Sequence, residues 1–182
     1  MIKFDKRFVQ RIRVPVGFLF AIVFLIFARP TLSTLAIGSV VVCVGILIRA
    51  WASGHIRKAK TLAISGPYGY TRNPLYLGSL ILGIGFTVAS GVWWLAVLFC
   101  ILFLGIYLPV MRVEITDMIR IFGEEFDEYE RNVPLLIPRF TVWKNTGAKF
   151  EYKLYSQYRE YRAAIGAGVV VVILALKAYF FP

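Results

Sequence analysis

The chain has 182 residues, 59% of them apolar, and its mean hydropathy is +0.71. This apolar share is well above that of an ordinary soluble domain, so the composition argues against a soluble globular fold and indicates a membrane protein. The formal net charge is +11, but no basic face with base-reading or stacking groups accompanies it, so nucleic-acid binding is not predicted.

Five apolar segments occur in chain order, at residues 14–28, 32–52, 75–90, 92–111 and 163–181. About 18 or more apolar residues can span a bilayer core, and the backbone groups in lipid must be bonded internally, so each segment is predicted to be a helix. The first and third segments reach spanning length only if helix continues into their flanking residues. The sequence therefore predicts an all-α polytopic membrane protein with about five transmembrane helices, cytoplasmic loops and short cytoplasmic helices. We expect one integral membrane domain over residues 1–182.

The basic residues concentrate on alternate loops. Of the 21 Lys and Arg residues, 19 lie before the first segment, within residues 49–72 or within residues 112–162, and only Arg29 and Lys177 lie on the other side. Cytoplasmic loops of membrane proteins carry such an excess of Lys and Arg. The pattern predicts a protein of the cell inner membrane or an equivalent membrane, with its N-terminus and polar loops in the cytoplasm. These loops also favour anionic lipid headgroups.

The stretch GPYGYTRNPLYLG, residues 66–78, is a polar turn between two apolar segments. Pro74 is the preferred residue type for a first helical position, and Asn73 before it is predicted to be the N-cap. The backbone donors at this helix N-terminus and the side chain of Arg72 would then face the loop, where they are suited to a carboxylate. An alternative stays open at this point: a capped turn in which Arg72 binds lipid phosphate.

A single acid, Glu114, lies a few residues beyond the fourth apolar segment. A carboxylate at that depth is costly unless it is paired or functional. The alternative to a functional role is an interfacial ion pair with Arg112 or Arg120. The fourth helix is predicted to continue past Glu114 and to end near Gly123, and residues 124–131 are predicted to form a short acidic helix.

These two polar regions together resemble the isoprenylcysteine carboxyl methyltransferase family, within a wider group that includes phospholipid methyltransferases. The family's first motif, GPYxxxRHPxYxG, is matched by Gly66, Pro67, Tyr68, Arg72, Asn73, Pro74, Tyr76 and Gly78. Its second motif, EExxLxxxFGxxYxxYxxxVP, is matched by Glu114, Met118, Phe122, Gly123, Phe126, Tyr129, Val133 and Pro134. The sequence departs from the pattern where Asn73 replaces histidine, Ile115 replaces the second acid and Phe126 replaces tyrosine.

The resemblance implies S-adenosylmethionine as the cofactor, held by membrane-proximal loops, since the chain has no GxGxxG fingerprint. In this interpretation Arg72 and the donors near Asn73 and Tyr76 take the methionine carboxylate. Tyr68 and Tyr70 offer stacking surface to the adenine or the sulfonium. Glu114 accepts hydrogen bonds from the ribose hydroxyls or the ammonium group. The predicted cofactor-binding residues are Gly66, Tyr68, Tyr70, Arg72, Asn73, Pro74, Tyr76, Gly78 and Glu114.

The candidate catalytic residues are Arg112, Glu114 and His55. Methyl transfer mainly requires that donor and acceptor are held in line and that water is excluded. Arg112 could orient an anionic carboxylate acceptor, whereas a thiol or amine acceptor would need a base, and His55 is the only histidine. The alternative for His55 is a solvated side chain without a role. Prenylated cysteine carboxylate, phospholipid amine, isoprenoid and thiol acceptors remain open, and a lipophilic acceptor would enter from the bilayer.

Two other functional classes compete with a methyltransferase. A sterol-type reductase would need basic residues around the phosphates of NADPH, and the acidic run at residues 124–130 argues mildly against it. A non-catalytic scaffold would not explain two polar motifs in one chain. The expected partners are a lipophilic or lipidated substrate and membrane lipids, with no nucleic acid and with the oligomeric state open. Cys43 and Cys100 lack metal-ligand spacing, so no metal site is predicted.

Four tyrosines, at positions 152, 155, 158 and 161, recur every three residues before the last apolar segment. This spacing predicts an amphipathic helix at the level of the lipid headgroups, anchored by its aromatic rings. A substrate-binding role for these tyrosines is the alternative.

Overall fold

The computed structural model describes residues 6–56, 61–144 and 146–181, with side chains from residue 14 onwards. Within these ranges the chain forms helices and no strand, which confirms the all-α prediction. The helices are α1 (Lys6–Phe27), α2 (Leu32–Ser53), α3 (Pro74–Ala89), α4 (Trp93–Phe122), α5 (Glu124–Asn132), α6 (Tyr152–Gln157) and α7 (Tyr161–Phe180), with a 3₁₀ helix at Gly66–Gly69. Some basic residues of the charge pattern lie outside the described residues or side chains: Lys3, Lys6, Arg7, Arg11, Arg13, Arg57, Lys58 and Lys60.

Five apolar helices occupy the positions of the five predicted segments. Among the described residues, α2, α4 and α7 are long and apolar enough to cross a membrane. The first segment extends towards the N-terminus as expected, because α1 runs for 22 residues. α3 has only 16 residues. At 1.5 Å per residue it is about 24 Å long, short of a hydrocarbon core of about 30 Å. The proline at its start and the turn at its end fix this length.

Short turns join α1 to α2 and α3 to α4, and the two turns touch. In the bundle α2 packs mainly against α3, whereas α1 packs against α4. Thr31 and Thr34 make a capping box at the start of α2, in which each side chain accepts a hydrogen bond from the other residue's backbone, at 3.2 and 2.9 Å. The amide of Arg29, between α1 and α2, donates to the carbonyl oxygen of Ser90, between α3 and α4, at 2.7 Å. The two turns therefore lie on the same side of the bundle.

The backbones of α2 and α3 approach each other through glycines. Gly38 and Gly45 on α2 are seven residues apart, as are Gly78 and Gly85 on α3, so each pair lies on one face of its helix. A Cβ atom added to Gly38 would lie 2.4 Å from the backbone nitrogen of Ala89. Small residues allow this close packing between helices in membranes, where van der Waals contact replaces the hydrophobic effect.

α5 folds back against the end of α4. Gly123 joins the two helices with φ 52°, a backbone conformation that residues with a side chain rarely adopt. The apolar face of α5 carries Phe126 and Tyr129, which, with Val133 just after the helix, are buried against residues of α4 and of the segment at residues 62–64. The predicted short acidic helix is therefore present, and it brings the second motif onto the loop that precedes the first.

The prediction of one continuous helix through the four tyrosines is wrong. α6 ends at Gln157, Arg159 takes φ 57°, and α7 begins at Tyr161. A left-handed conformation at a residue with a side chain costs roughly 1–2 kcal/mol. The tyrosine spacing thus crosses a sharp turn that local periodicity does not reveal.

The glycine contact between α2 and α3 leads to a stability prediction. We expect Gly38→Ala to lower the free energy of unfolding by about 1–3 kcal/mol, because the new methyl group would overlap the backbone of α3. Gly105→Ala on α4 is the matched control, since a Cβ there meets nothing within 4 Å. Thermal unfolding in detergent micelles measures both variants. Equal midpoints for the two would contradict the close backbone contact.

Candidate functional site

The two polar motifs meet at one end of the helix bundle. The hydroxyl of Tyr129 on α5 donates to the carbonyl oxygen of Tyr68 at 2.8 Å. The amide of Arg72 donates to the carbonyl oxygen of Pro134, just after α5, at 2.9 Å. Residues some sixty positions apart in the sequence are thus held together by buried or half-buried hydrogen bonds.

A hydrogen bond between the first motif and α4 joins Tyr76 to Glu114. The Tyr76 hydroxyl, in the first turn of α3, donates to a carboxylate oxygen of Glu114 at 3.0 Å. Both side chains are half-buried, and the ring of Tyr107 packs beside Tyr76 with 5.2 Å between centroids. The side chains of Arg112 and Arg120 are exposed. A neutral donor thus contributes to the orientation of this carboxylate at the edge of an apolar region.

Arg72 is held in place by α5 and retains an unused donor. Its Nη1 atom contacts a carboxylate oxygen of Glu130, which gives an ion pair between the two motifs. Its Nε atom is buried and has no hydrogen-bond partner among the residues that the structure describes. A buried donor without a partner costs about 1–3 kcal/mol, so such atoms are rare unless they have a function.

Tyr68 has a similar unpaired group. Its side chain is 6% exposed, and its hydroxyl finds no partner within the described ranges. Burial raises the pKa of Tyr68, and nearby Tyr129, Glu160 and Tyr158 raise it further. Burial also raises the pKa of Tyr129, although the charge of Arg72 partly opposes this. Both phenols therefore remain protonated at physiological pH and can act as hydrogen-bond donors.

Asn73 and Pro74 begin α3 at the predicted positions, which confirms Asn73 as the N-cap residue of this helix. Asn73 occupies the N-cap position, yet its side chain makes no capping hydrogen bond. Its Nδ2 atom instead donates to the carbonyl oxygen of Leu135 at 3.0 Å. Thr71, two residues before Asn73, donates from Oγ1 to the carbonyl oxygen of Leu136 at 3.1 Å. The amide that replaces the motif's histidine thus ties the loop to the segment after α5.

The motif glycines make room for neighbouring side chains. Gly66 has φ 55°, and a Cβ atom there would lie 2.7 Å from Nε2 of His55. A Cβ atom on Gly78 would lie 2.6 Å from Cγ of Arg49. Tyr70 is half-buried, and its ring lies 6.2 Å from that of Trp51.

His55 and Arg112 are not brought to the Tyr76–Glu114 contact. The Nδ1 atom of His55 lies 3.0 Å from the carbonyl oxygen of Trp51, and its ring borders a separate cavity of about 170 Å³. Arg112 is exposed, and two residues along a helix place it about 200° around α4 from Glu114. Their catalytic roles stay predictions. Within the described residues, no group of three or more His, Cys, Asp or Glu side chains could hold a metal ion.

An apolar cavity of about 330 Å³ lies between α1, α3 and α4. Phenylalanines line much of it, and among the described residues Ser79 and Tyr107 are the ones with polar side chains in its lining. The ring of Tyr107 stacks on Phe103 at 4.5 Å between centroids and also contacts Tyr76. This row of rings connects the cavity to the Tyr76–Glu114 contact. Aromatic residues at every fourth position, Phe99, Phe103 and Tyr107, are the sequence signal that could have located it.

A model of the phospholipid methyltransferase family matches residues 16–125, more than half of the chain. The chain belongs to the phospholipid methyltransferase family. This confirms the wider group that the two motifs indicated. The family match includes both residues of the Tyr76–Glu114 contact and ends at the start of α5, so Glu130 and all of α6 and α7 lie beyond it.

Two curated relatives share moderate identity with the chain. The nickel-cobalt-cadmium resistance protein NccN of Alcaligenes xylosoxydans xylosoxydans is 30% identical over 113 residues, which cover 61% of this chain and 53% of the relative. The cobalt-zinc-cadmium resistance protein CzcN of Cupriavidus metallidurans is 35% identical over 116 residues, 60% of this chain and 51% of the relative. The chain thus spans about half the length of these relatives. No solved structure matches it.

The buried tyrosines predict how stability changes at alkaline pH. Because the pKa of each buried tyrosine is higher in the folded than in the unfolded state, the free energy of unfolding does not change with these groups below about pH 10. Above that pH it falls, by up to about 1.4 kcal/mol per pH unit for each tyrosine. Tyr68→Phe and Tyr129→Phe should therefore each flatten this fall. Tyr152→Phe, at a residue 72% exposed, should leave the slope unchanged. Melting temperatures in detergent between pH 8 and 11.5 measure the slopes, and identical slopes for all variants would refute the burial of the two phenols.

Proposed function

We propose that this protein is an S-adenosylmethionine-dependent integral membrane methyltransferase that acts on a lipophilic or membrane-delivered acceptor, with its N-terminus and site in the cytoplasm. The observation that carries the proposal is the hydrogen bond between Tyr76 and Glu114, which joins the two motifs in a chain of the phospholipid methyltransferase family. The alternation of basic loops supports the cytoplasmic side. The chain forms one integral membrane domain in this proposal.

The side chains at the junction of the motifs fit the chemistry of this cofactor. S-adenosylmethionine carries a carboxylate, an ammonium group, ribose hydroxyls and an adenine ring. Arg72 Nε and the Tyr68 hydroxyl are buried groups that still have a hydrogen bond to give, and Glu114 is an acceptor. Arg72 would hold the carboxylate, and Glu114 would hold the ribose hydroxyls or the ammonium group. Tyr68 and Tyr70 would cover the adenine or the sulfonium. When bound, the cofactor supplies a methyl carbon activated by its sulfonium.

The apolar cavity gives the acceptor a place beside this site. Its lining suits a hydrocarbon chain, and Tyr107 and Tyr76 mark the end at which a polar head would stop. In this proposal the helices around the cavity would keep water away from the reaction, and the protein's contribution would be to align the acceptor with the methyl carbon.

Among the possible acceptors we favour a carboxylate on a lipophilic chain, as in isoprenylcysteine carboxyl methyltransferases. A carboxylate is anionic at neutral pH and needs no base, whereas an amine or thiol acceptor must lose a proton. His55, the only histidine, borders a different cavity. Phospholipid amines and thiols are the alternative acceptors. Transfer of a radiolabelled methyl group into a membrane extract, with the product identified, would distinguish these classes.

The cofactor is tested most directly by ligand-dependent stability. We expect S-adenosylhomocysteine at 100 times its dissociation constant to stabilise the fold in detergent by about 2.7 kcal/mol. NADPH at the same concentration should leave the melting temperature unchanged. Stabilisation by NADPH alone would indicate a reductase, and stabilisation by neither ligand would count against both enzymes.

Two substitutions separate ligand contacts from contacts within the protein. Tyr68→Phe removes a hydroxyl without a partner, so we expect stability without ligand to be equal or higher but affinity for S-adenosylhomocysteine to be lower. Glu114→Gln should weaken binding by about 1.5–3 kcal/mol through the loss of a charge-assisted hydrogen bond. Tyr152→Phe serves as the exposed control. Isothermal titration measures the affinity of the three variants for S-adenosylhomocysteine. An unchanged affinity in Glu114→Gln would mean that another acid binds the cofactor.

A further inference from the structure

The C-terminal strap, residues 139–144 and 146–160, lies beyond the family match and is bonded to the loop of the first motif. The amide of Arg139 donates to the carbonyl oxygen of Tyr70 at 2.9 Å, and that of Trp143 donates to Gly69 at 3.0 Å. Further along, the amide of Glu151 donates to the carbonyl oxygen of Gly54 at 3.0 Å. The strap therefore covers the polar turn, and its last residue, Glu160, begins the approach to α7.

An ion pair between α2 and the end of the strap is shielded from solvent. Arg49 and Glu160 form a bidentate salt bridge, in which Nε donates to Oε2 at 3.1 Å and Nη2 donates to Oε1 at 3.0 Å. Their side chains are 22% and 14% exposed. Bidentate pairing of this kind fixes both the position and the orientation of the two side chains. None of the motifs in the sequence includes either residue.

The same arginine also holds the first turns of α3. Its Nη1 atom donates to Oγ of Ser79 and to the carbonyl oxygen of Leu75, at 3.4 Å for the latter. These acceptors flank Tyr76, the donor to Glu114. Gly78 in the first motif leaves the space through which the stem of Arg49 passes, since a Cβ there would lie 2.6 Å from Cγ of Arg49. One guanidinium thus connects the strap to the turn that carries Tyr76.

The backbone next to Glu160 is strained in a way that fits this role. Arg159 takes φ 57°, outside the usual range of a residue with a side chain, and the chain changes direction there between α6 and α7. Such strain persists only where the surrounding contacts fix the conformation. The carboxylate of Glu160 is also near enough to Tyr68 to contribute to the raised pKa of that phenol, after burial.

We propose that Glu160, acting through Arg49, is a positioning residue that holds the C-terminal strap closed over the methyl-donor site and fixes the start of α3. The identity of the site as a methyl-donor site rests on the proposed function. The closure itself rests on the contacts of Arg49 and on the backbone hydrogen bonds of the strap, which do not depend on that function. Loss of one partner leaves a shielded charge uncompensated, which loosens both elements that the pair connects.

The experiment compares Glu160→Gln, which removes the charge and keeps the shape, with Glu128→Gln. The control breaks the Lys144–Glu128 pair, whose side chains are 46% and 55% exposed. Hydrogen exchange of the amides at residues 66–79, measured without ligand in detergent, reports closure, and titration with S-adenosylhomocysteine reports the site. We expect Glu160→Gln to speed exchange there and to weaken binding, each about tenfold, and Glu128→Gln to change both by less than about threefold.

Arg49→Lys provides a second variant should Glu160→Gln fail to fold. This variant keeps the positive charge but loses the bidentate guanidinium. We therefore expect faster exchange at residues 66–79 and weaker binding, both to a smaller extent than in Glu160→Gln. Faster exchange confined to residues 150–160, with residues 66–79 and the affinity unchanged, would overturn the proposal and make Glu160 a local anchor only. Absence of S-adenosylhomocysteine binding in the unaltered protein would refute the proposed function instead, and the exchange at residues 66–79 would still decide the closure.

Discussion

The hydrogen bond between Tyr76 and Glu114 is the contact around which the polar end of the molecule is arranged. A carboxylate beside apolar helices is costly unless a donor accompanies it. The donor comes from α3, whose start at Pro74 places Tyr76 in the first turn, opposite α4. The proline boundary and the position of the acid therefore depend on each other. A different start for α3 would turn the hydroxyl away from Glu114 and leave the acid without this donor.

The polar residues around this contact form pairs in most places and leave two groups unpaired. Arg72 engages Glu130, and Tyr129 engages the backbone of Tyr68, so α5 clamps the loop. Arg72 Nε and the hydroxyl of Tyr68 nevertheless stay without partners among the described residues. Natural sequences depart from complete polar satisfaction mainly where function requires it. The location of both groups in the first motif is consistent with a ligand that completes their hydrogen bonding.

The sequence predicted the elements whose causes are local. Long apolar segments located the helices, Pro74 located the start of α3, and Gly123 located the end of α4. The continuous helix through the four tyrosines was wrong because spacing alone does not report a left-handed turn at Arg159. Asn73 is the N-cap residue as predicted, but the sequence could not show that its Nδ2 atom donates to the carbonyl oxygen of Leu135, which only tertiary folding brings close.

The partners of Arg72 and Arg49 could not be predicted for a related reason. Glu130 lies 58 residues from Arg72, and Glu160 lies 111 residues from Arg49. Several acidic residues near Glu130 and Glu160 have the same carboxylate chemistry, so the sequence does not indicate which of them pairs with each arginine. Only the three-dimensional fold determines the partner. The resemblance to a family predicted that the two motifs form one site, but it did not predict the Arg72–Glu130 and Arg49–Glu160 pairs.

The placement of the polar and apolar surfaces supports the proposed methyl transfer to a lipophilic acceptor at this end of the bundle. Methyl transfer to a lipophilic acceptor needs a polar site for a charged cofactor and a dry site for a hydrocarbon chain, in contact with each other. Tyr107 and Tyr76 provide that contact, because their rings pack together while one lines the apolar cavity and the other donates to Glu114. A tyrosine is suited to such a boundary since its ring is apolar and its hydroxyl is polar. In the proposed reaction, the row of rings Phe99, Phe103, Tyr107 and Tyr76 would let the hydrocarbon chain of the acceptor come close to Glu114, while the carboxylate keeps its hydrogen bond from Tyr76.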